Sequence, residues 1–358
     1  MILARQSLYF SVMFIFLFEF GTLNAWALEA PSAESTTTFW QELAASSTAS
    51  DWEATPAATS SAPAAALTRP LIAEPKVRVG LYKTNQAVLF QSDFPYEILA
   101  GNESQGVLEP SVQAKLDYSA GVYYFRGGGV EFATTTYLRL VPGDWREIFF
   151  TIISYSRPVR GRGAVNFNAY RGGLEYHFSI RSGLPYIINE LPLESYVAGI
   201  AESSNAVPAE YAKALLTAGR TYAYKQIGPP SSSNHLFDVY PNTNDQIYLG
   251  YNSELMMPNI VAAARATTGE MVTYQGEPVI TPYFGNSSGK TRTWPGTGAR
   301  ARTWLKSIVA KYDKGRKLWG HGYGMSTRDA ELRAKKDGWH YRELLGYYYT
   351  STTVEKIY

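Results

Sequence analysis

From residue 77 to residue 188 the chain repeats short runs rich in Val, Ile, Leu, Tyr and Phe, each closed by glycine or a polar turn. Val77-Arg78-Val79-Gly80-Leu81-Tyr82, Val88-Leu89-Phe90, Val122-Tyr123-Tyr124-Phe125, Thr136-Tyr137-Leu138-Arg139-Leu140-Val141 and residues 148–153 read as strands. Gly127-Gly128-Gly129 and Arg160-Gly161-Arg162-Gly163 mark turns. Residues 166–167, 174–180 and 184–188 continue the pattern, so about 120 residues of β-rich chain precede the first convincing helical period. Such a stretch has to bury its apolar faces within itself or against the C-terminal half of the chain.

Two helices are expected next. Pro192 suits a first helical position, and Leu193, Tyr196, Val197 and Ile200 form an apolar stripe. At about 100° per residue, Ser195 and Glu202 fall on the opposite, polar face. Residues 208–226 form a second helix with the stripe Tyr211, Ala214, Leu215, Ala218 and Tyr222. Lys213 and Arg220 lie about 180° from that stripe and are expected at the surface. A third helix over 258–266 ends near Gly269, and residues 271–274 and 278–283 pair as a hairpin across Gln275-Gly276-Glu277. The expected fold class is α+β: a β-rich N-terminal part, 69–165, followed by a mixed helix and strand region, 166–358.

Ahead of residue 69 the chain reads as targeting and spacer sequence. Arg5 precedes an apolar run to Phe18, and Ala25-Trp26-Ala27 offers small residues at the −3 and −1 positions of a cleavage site. Residues 1–27 are therefore expected to be an export signal, the mature protein being exported and periplasmic or envelope-associated. The apolar run would span only about 16 Å as a helix, so a membrane partner enters only in the alternative where the signal stays uncleaved. Residues 28–68, rich in Ser, Thr, Ala and Pro, read as a solvated, disordered linker.

Of the 358 residues none is Cys and 4 are His. Disulfides, thiolate metal sites and thiol nucleophiles are excluded, and neither a metal nor another cofactor is expected. Lys plus Arg total 33 against 31 Asp plus Glu, a net charge of +2, which argues against nucleic acid as partner. The 27 Tyr, 8 Trp and 16 Phe offer flat, amphipathic surface that suits sugar or polymer binding, although most of it must be core.

From residue 170 onward the motifs become distinctive. Asn189-Glu190-Leu191-Pro192-Leu193-Glu194-Ser195-Tyr196-Val197 runs on through Gly199-Ile200-Ala201-Glu202. Then come Pro208-Ala209-Glu210-Tyr211-Ala212-Lys213-Ala214, Gly219-Arg220-Thr221-Tyr222-Ala223 and Asp245-Gln246-Ile247-Tyr248. Tyr283-Phe284 leads to Ser288-Gly289-Lys290-Thr291, and Gly320-His321-Gly322-Tyr323-Gly324-Met325-Ser326 completes the series. In this order the pieces resemble the SpoIID/LytB family of peptidoglycan-acting proteins. The resemblance implies a lytic transglycosylase that cuts the MurNAc–GlcNAc bond of cell-wall glycan, with glycan strands as partner.

The resemblance makes Glu202 the catalytic acid/base, and the bland alternative is a solvated glutamate on a helix face. It also makes Arg220, Tyr283, Ser287, Ser288, Lys290 and His321 substrate-binding, against the alternatives of a structural ion pair, core packing or turn chemistry. Departures are Ser203 after the Glu, a single Gly289 before Lys290-Thr291, Thr327 after Met325-Ser326, and no Cys for the zinc set of some members. They leave open a second reading, a non-catalytic wall protein that binds glycan and assists a cell-wall amidase.

Overall fold

The computed structural model describes residues 71–228 and 236–358. The expected signal (1–27) and linker (28–68) lie outside the described residues, as does His235.

Twelve strands come first: β1 (Lys76–Lys83), β2 (Val88–Gln91), β3 (Tyr96–Ala100), β4 (Glu103–Leu108), β5 (Ala114–Ser119), β6 (Val122–Gly127), β7 (Val130–Thr134), β8 (Leu138–Pro142), β9 (Phe149–Ile152), β10 (Ala169–Arg171), β11 (Gly173–Ser179) and β12 (Leu184–Pro192). They form two six-stranded sheets, β1-β12-β11-β8-β3-β4 and β10-β9-β2-β5-β6-β7, antiparallel throughout. Ring contacts between the sheets fill the space between them. Phe90 meets Tyr96 edge-on at 5.0 Å and Tyr123 meets Tyr176 at 5.9 Å. The Tyr96 hydroxyl donates to Gly172 O at 2.9 Å, which lets its polar tip be buried.

This pairing corrects the expected division at residue 165. Strand β11 pairs with β8, and β12 pairs with β1, so β10 to β12 complete the sheets begun by β1 to β9. The change of architecture comes at Leu193, where helices begin.

Those helices are α1 (Leu193–Ala198), α2 (Ala209–Gln226), α3 (Tyr251–Met256) and α4 (Pro258–Ala266). After them come β13 (Glu270–Tyr274), β14 (Glu277–Pro278) and β15 (Tyr283–Phe284), then β16 (Met325–Ser326), α5 (Thr327–Asp337), α6 (Tyr341–Tyr348) and β17 (Thr353–Lys356). The expected hairpin forms as a tight turn, with Tyr274 opposite Glu277 and both Gln275 and Gly276 at positive φ. Its second strand is shorter than expected, and Tyr283 pairs in parallel with Met325 instead.

Helix α2 is the hub. It packs against α1, α4, α6 and β13, and its side chains from Ala214 to Thr221 are all buried. The expected polar face is therefore occupied, which corrects the exposed placement of Arg220. Small residues make the crowding possible: a Cβ at Gly219 would lie 3.0 Å from Gln246 Nε2 and 3.2 Å from Ile200 Cδ1.

Candidate active site

Glu202 is not on a helix. Helix α1 stops after six residues at Gly199, where a Cβ would meet the Tyr248 ring at 2.5 Å. The chain then runs extended beside residues 247–249: Ala201 N–H donates to Ile247 O at 2.8 Å and Leu249 N–H to Gly199 O at 3.0 Å. That register sets the Glu202 side chain against the Ile247 amide, which donates to Glu202 Oε1 at 2.7 Å.

A buried polar chain reaches the same carboxyl. The Tyr196 hydroxyl donates to Gln246 Oε1 at 2.9 Å, and Gln246 Nε2 donates to the Tyr283 hydroxyl at 2.8 Å. The Tyr283 hydroxyl, its oxygen accepting from Gln246, favours the charged form of the Glu202 carboxyl. The resemblance made Tyr283 substrate-binding, but its hydroxyl is engaged inward, by Gln246 beside the acid.

Arg162 lies on the other side. Its Nη2 donates to the carbonyls of Ala201 at 2.8 Å and Ser203 at 3.0 Å, the two residues flanking Glu202. Sequence reasoning missed this role: Arg160-Gly161-Arg162-Gly163 signalled a turn, and nothing said what the turn faced. Gly161 and Gly163 both take positive φ.

These surroundings set the carboxyl's chemistry. Burial pushes the Glu202 pKa up to about 7, against the pull of the Ile247 amide, the Tyr283 hydroxyl and the Arg162 charge. Among the described residues, no second carboxylate is one of the groups acting on it. One carboxyl that is partly protonated near neutral pH can give a proton and take one back.

The other expected site residues divide. His321, exposed on its loop, accepts from Tyr323 N–H at Nδ1, 3.0 Å away, and the Tyr283 main chain acts on its ring. Burial of the ring lowers its pKa, which favours neutral imidazole. Ser288 and Lys290 are exposed on the loop that leaves Tyr283. Ser287 is fully buried, its N–H donating to Asp313 Oδ2 at 2.7 Å and its Oγ accepting from Gly289 N–H at 3.1 Å. It shapes that loop and is closed to a ligand.

Arg220 is closed too. Its guanidinium has no exposure and forms two 2.8 Å bonds to Glu194, with further bonds to the carbonyls of Ala264 and Glu270. A zinc site of the kind the resemblance brings with it does not fit either. The chain has no Cys, and both Asp245 oxygens are taken, by the Tyr222 hydroxyl at 2.7 Å and Tyr240 N–H at 2.8 Å.

Comparison with known proteins bears on this arrangement. The family model described as stage II sporulation protein, SpoIID, matches residues 183–274. Stage II sporulation protein D of Bacillus subtilis (strain 168) is 28% identical over 142 residues, covering 36% of this chain and 41% of the relative. The same protein of Bacillus amyloliquefaciens is 27% identical over 143 residues, with the same shares. The chain thus spans about two-fifths of the length of these relatives. The matched segment holds Glu202, Tyr196, Gln246 and the Ile247 amide, while Arg162 and Tyr283 lie outside it. Residues 183–274, which carry Glu202 and the Ile247 amide that fixes it, are thus similar to the SpoIID family.

Proposed function

We propose that this protein is an exported lytic transglycosylase that cleaves the MurNAc–GlcNAc bond of peptidoglycan glycan strands. The observation that carries the reading is the solitary Glu202 carboxyl, pushed up to about 7 and held from three sides. Ordinary glycoside hydrolysis uses two carboxyl groups. A transglycosylase manages with one, because the attacking group is the sugar's own C6 hydroxyl, already beside the anomeric carbon.

Protonated Glu202 gives its proton to the leaving glycosidic oxygen as the C1–O4 bond breaks. The carboxylate then takes the C6 hydroxyl proton as the C1–O6 bond forms, leaving a 1,6-anhydro end and a regenerated acid. The Ile247 amide and the Tyr283 hydroxyl stabilise the carboxylate during its brief life. Arg162 fixes the main chain on both sides of it.

The test is product analysis by mass spectrometry on insoluble peptidoglycan and on glycan stripped of peptides. Products about 18 Da lighter than hydrolytic ones are expected, because intramolecular attack adds no water. They should be absent with Glu202→Gln. Glycan retention without soluble product would instead support the non-catalytic reading, with an amidase as the working partner.

A further inference from the structure

The net charge of +2 averages over a local excess. Between residues 290 and 317 stand nine Lys or Arg and one acid, Asp313. Asp313 is fully buried and engaged by Ser287 N–H, the Ser326 hydroxyl at 2.6 Å and Arg328, so it does not offset charge at the surface. Acids on the neighbouring α5 are engaged as well: Asp329 by Arg333, and Asp337 by Lys311 at 2.7 Å. Glu331, the remaining α5 acid, is partly buried with Lys335 and Arg328 acting on it.

Main-chain pairing gathers these cations into one lobe. Thr291 N–H donates to Ile308 O at 2.8 Å and Ala310 N–H to Gly289 O at 2.9 Å. Arg292 N–H donates to Gly322 O at 2.7 Å and Trp319 N–H to Asn286 O at 2.8 Å. Lys290, Arg292, Lys306, Lys314, Arg316 and Lys317 are exposed on it. Between Lys317 and His321 the Trp319 ring is 56% exposed, an unusual state for the largest apolar side chain. The lobe is continuous with the candidate site, since its first strand begins at Tyr283 and its last loop carries His321.

We infer that this lobe is an extended subsite that reads the carboxylates of a glycan strand, its cations facing the acid groups while Trp319 lies against a sugar ring. The inference rests on the surroundings of Glu202 being a glycan site and is independent of whether the bond is cut. Lactyl carboxylates recur along a strand freed of its stem peptides, so such a strand seated at Glu202 would present a series of them to the lobe. Screened pairs of this kind add affinity and salt dependence together.

The test uses the full chain carrying Glu202→Gln, so that no probe is consumed. Its affinity is measured over a salt series for peptide-free glycan, for the same glycan with its carboxyls converted to carboxamides, and for a single-stranded DNA oligonucleotide. Amidation should weaken binding about tenfold and flatten its salt dependence. Adding Lys306→Gln, Lys314→Gln and Lys317→Gln should weaken binding to native glycan equally and leave the amidated glycan unaffected, whereas Lys→Arg at the same three positions should change neither. Equal affinity for native and amidated glycan overturns the inference, and so does tighter binding of the oligonucleotide. Absence of anhydro products from the unsubstituted chain, with the carboxylate preference intact, would overturn the transglycosylase reading alone.

Discussion

Glu194 and Arg220 meet in a two-point ion pair, Oε1 to Nε and Oε2 to Nη2, each 2.8 Å, with the guanidinium sealed from solvent. Glu194 Oε1 also accepts from Gly269 N–H at 2.8 Å and from the Tyr358 hydroxyl at 2.7 Å. The pair therefore joins α1, α2 and the turn before β13. Arg220→Met leaves Glu194 buried without its cation and should destabilise the fold by about 3–5 kcal/mol. Arg220→Lys should also destabilise it, because a point charge cannot satisfy both carboxylate oxygens. Thermal denaturation checks this: an unchanged melting temperature with a raised KM would return Arg220 to the substrate.

Glu202 links activity to stability through its proton. Its pKa rises from an ordinary 4.5 to about 7 on folding, so the folded state binds the proton more tightly than the unfolded chain. Stability is then greatest below pH 4.5 as far as this group is concerned, falls between about 4.5 and 7, and is level above that. Glu202→Gln removes the penalty. It should raise stability by about 3 kcal/mol at pH 8 and little at pH 4, while lowering turnover by about 10²–10⁴. Denaturant titrations at the two pH values measure the difference, and an equal effect at both would refute the linkage.

Tyr283→Phe deletes the hydroxyl that favours the charged carboxylate and takes from Gln246 Nε2 its 2.8 Å acceptor, leaving it the 3.3 Å bond to Gly219 O. Losing a group that favours the charged form raises the Glu202 pKa further. Activity needs the protonated acid, so the alkaline limb of the kcat/KM profile should move to higher pH. Stability should fall by about 1–3 kcal/mol for the one amide hydrogen left without a partner. A profile that does not move would show that the hydroxyl has no hold on Glu202.

Arg162 acts through the main chain at 201 and 203 and through its charge. Arg162→Gln should lower kcat/KM at least about tenfold by loosening the acid, and it should also shift the alkaline limb upward. Arg162→Lys keeps the charge but not the fork, so it should restore the limb's position more fully than the rate. A purely structural arginine would change melting temperature and leave the pH profile in place.

Legibility in the sequence depends on where each residue is buried. Strands β1, β6, β8 and β11 carry alternating apolar residues because one face meets the sandwich interior, and that period is plain in the sequence. Strands β4 and β7 are outermost in their sheets and mostly solvated, so Glu103–Leu108 and Val130–Thr134 show little period to detect. Asn166-Phe167 forms no strand and makes only an isolated bridge from Asn166 to Pro158. Arg220 is misplaced by a helical wheel because the wheel assumes one buried face, whereas α2 is enclosed by α1, α4, α6 and β13. Glu202 is identified by its surrounding motif, but its environment depends on residues 247 and 283, far along the chain. No local pattern could show that.

The segment shared with the relatives begins at residue 183, at the start of β12, and β12 is flanked by β1 and β11. Excising that segment would strip β12 of both neighbours and leave two rows of unpaired amides and carbonyls beside a freshly exposed aromatic face. Such an edge recruits further copies of itself. A fragment cut to the shared segment should therefore precipitate or assemble through strand pairing, and the sandwich serves as the built-in cover that keeps the acid-bearing segment in a discrete molecule.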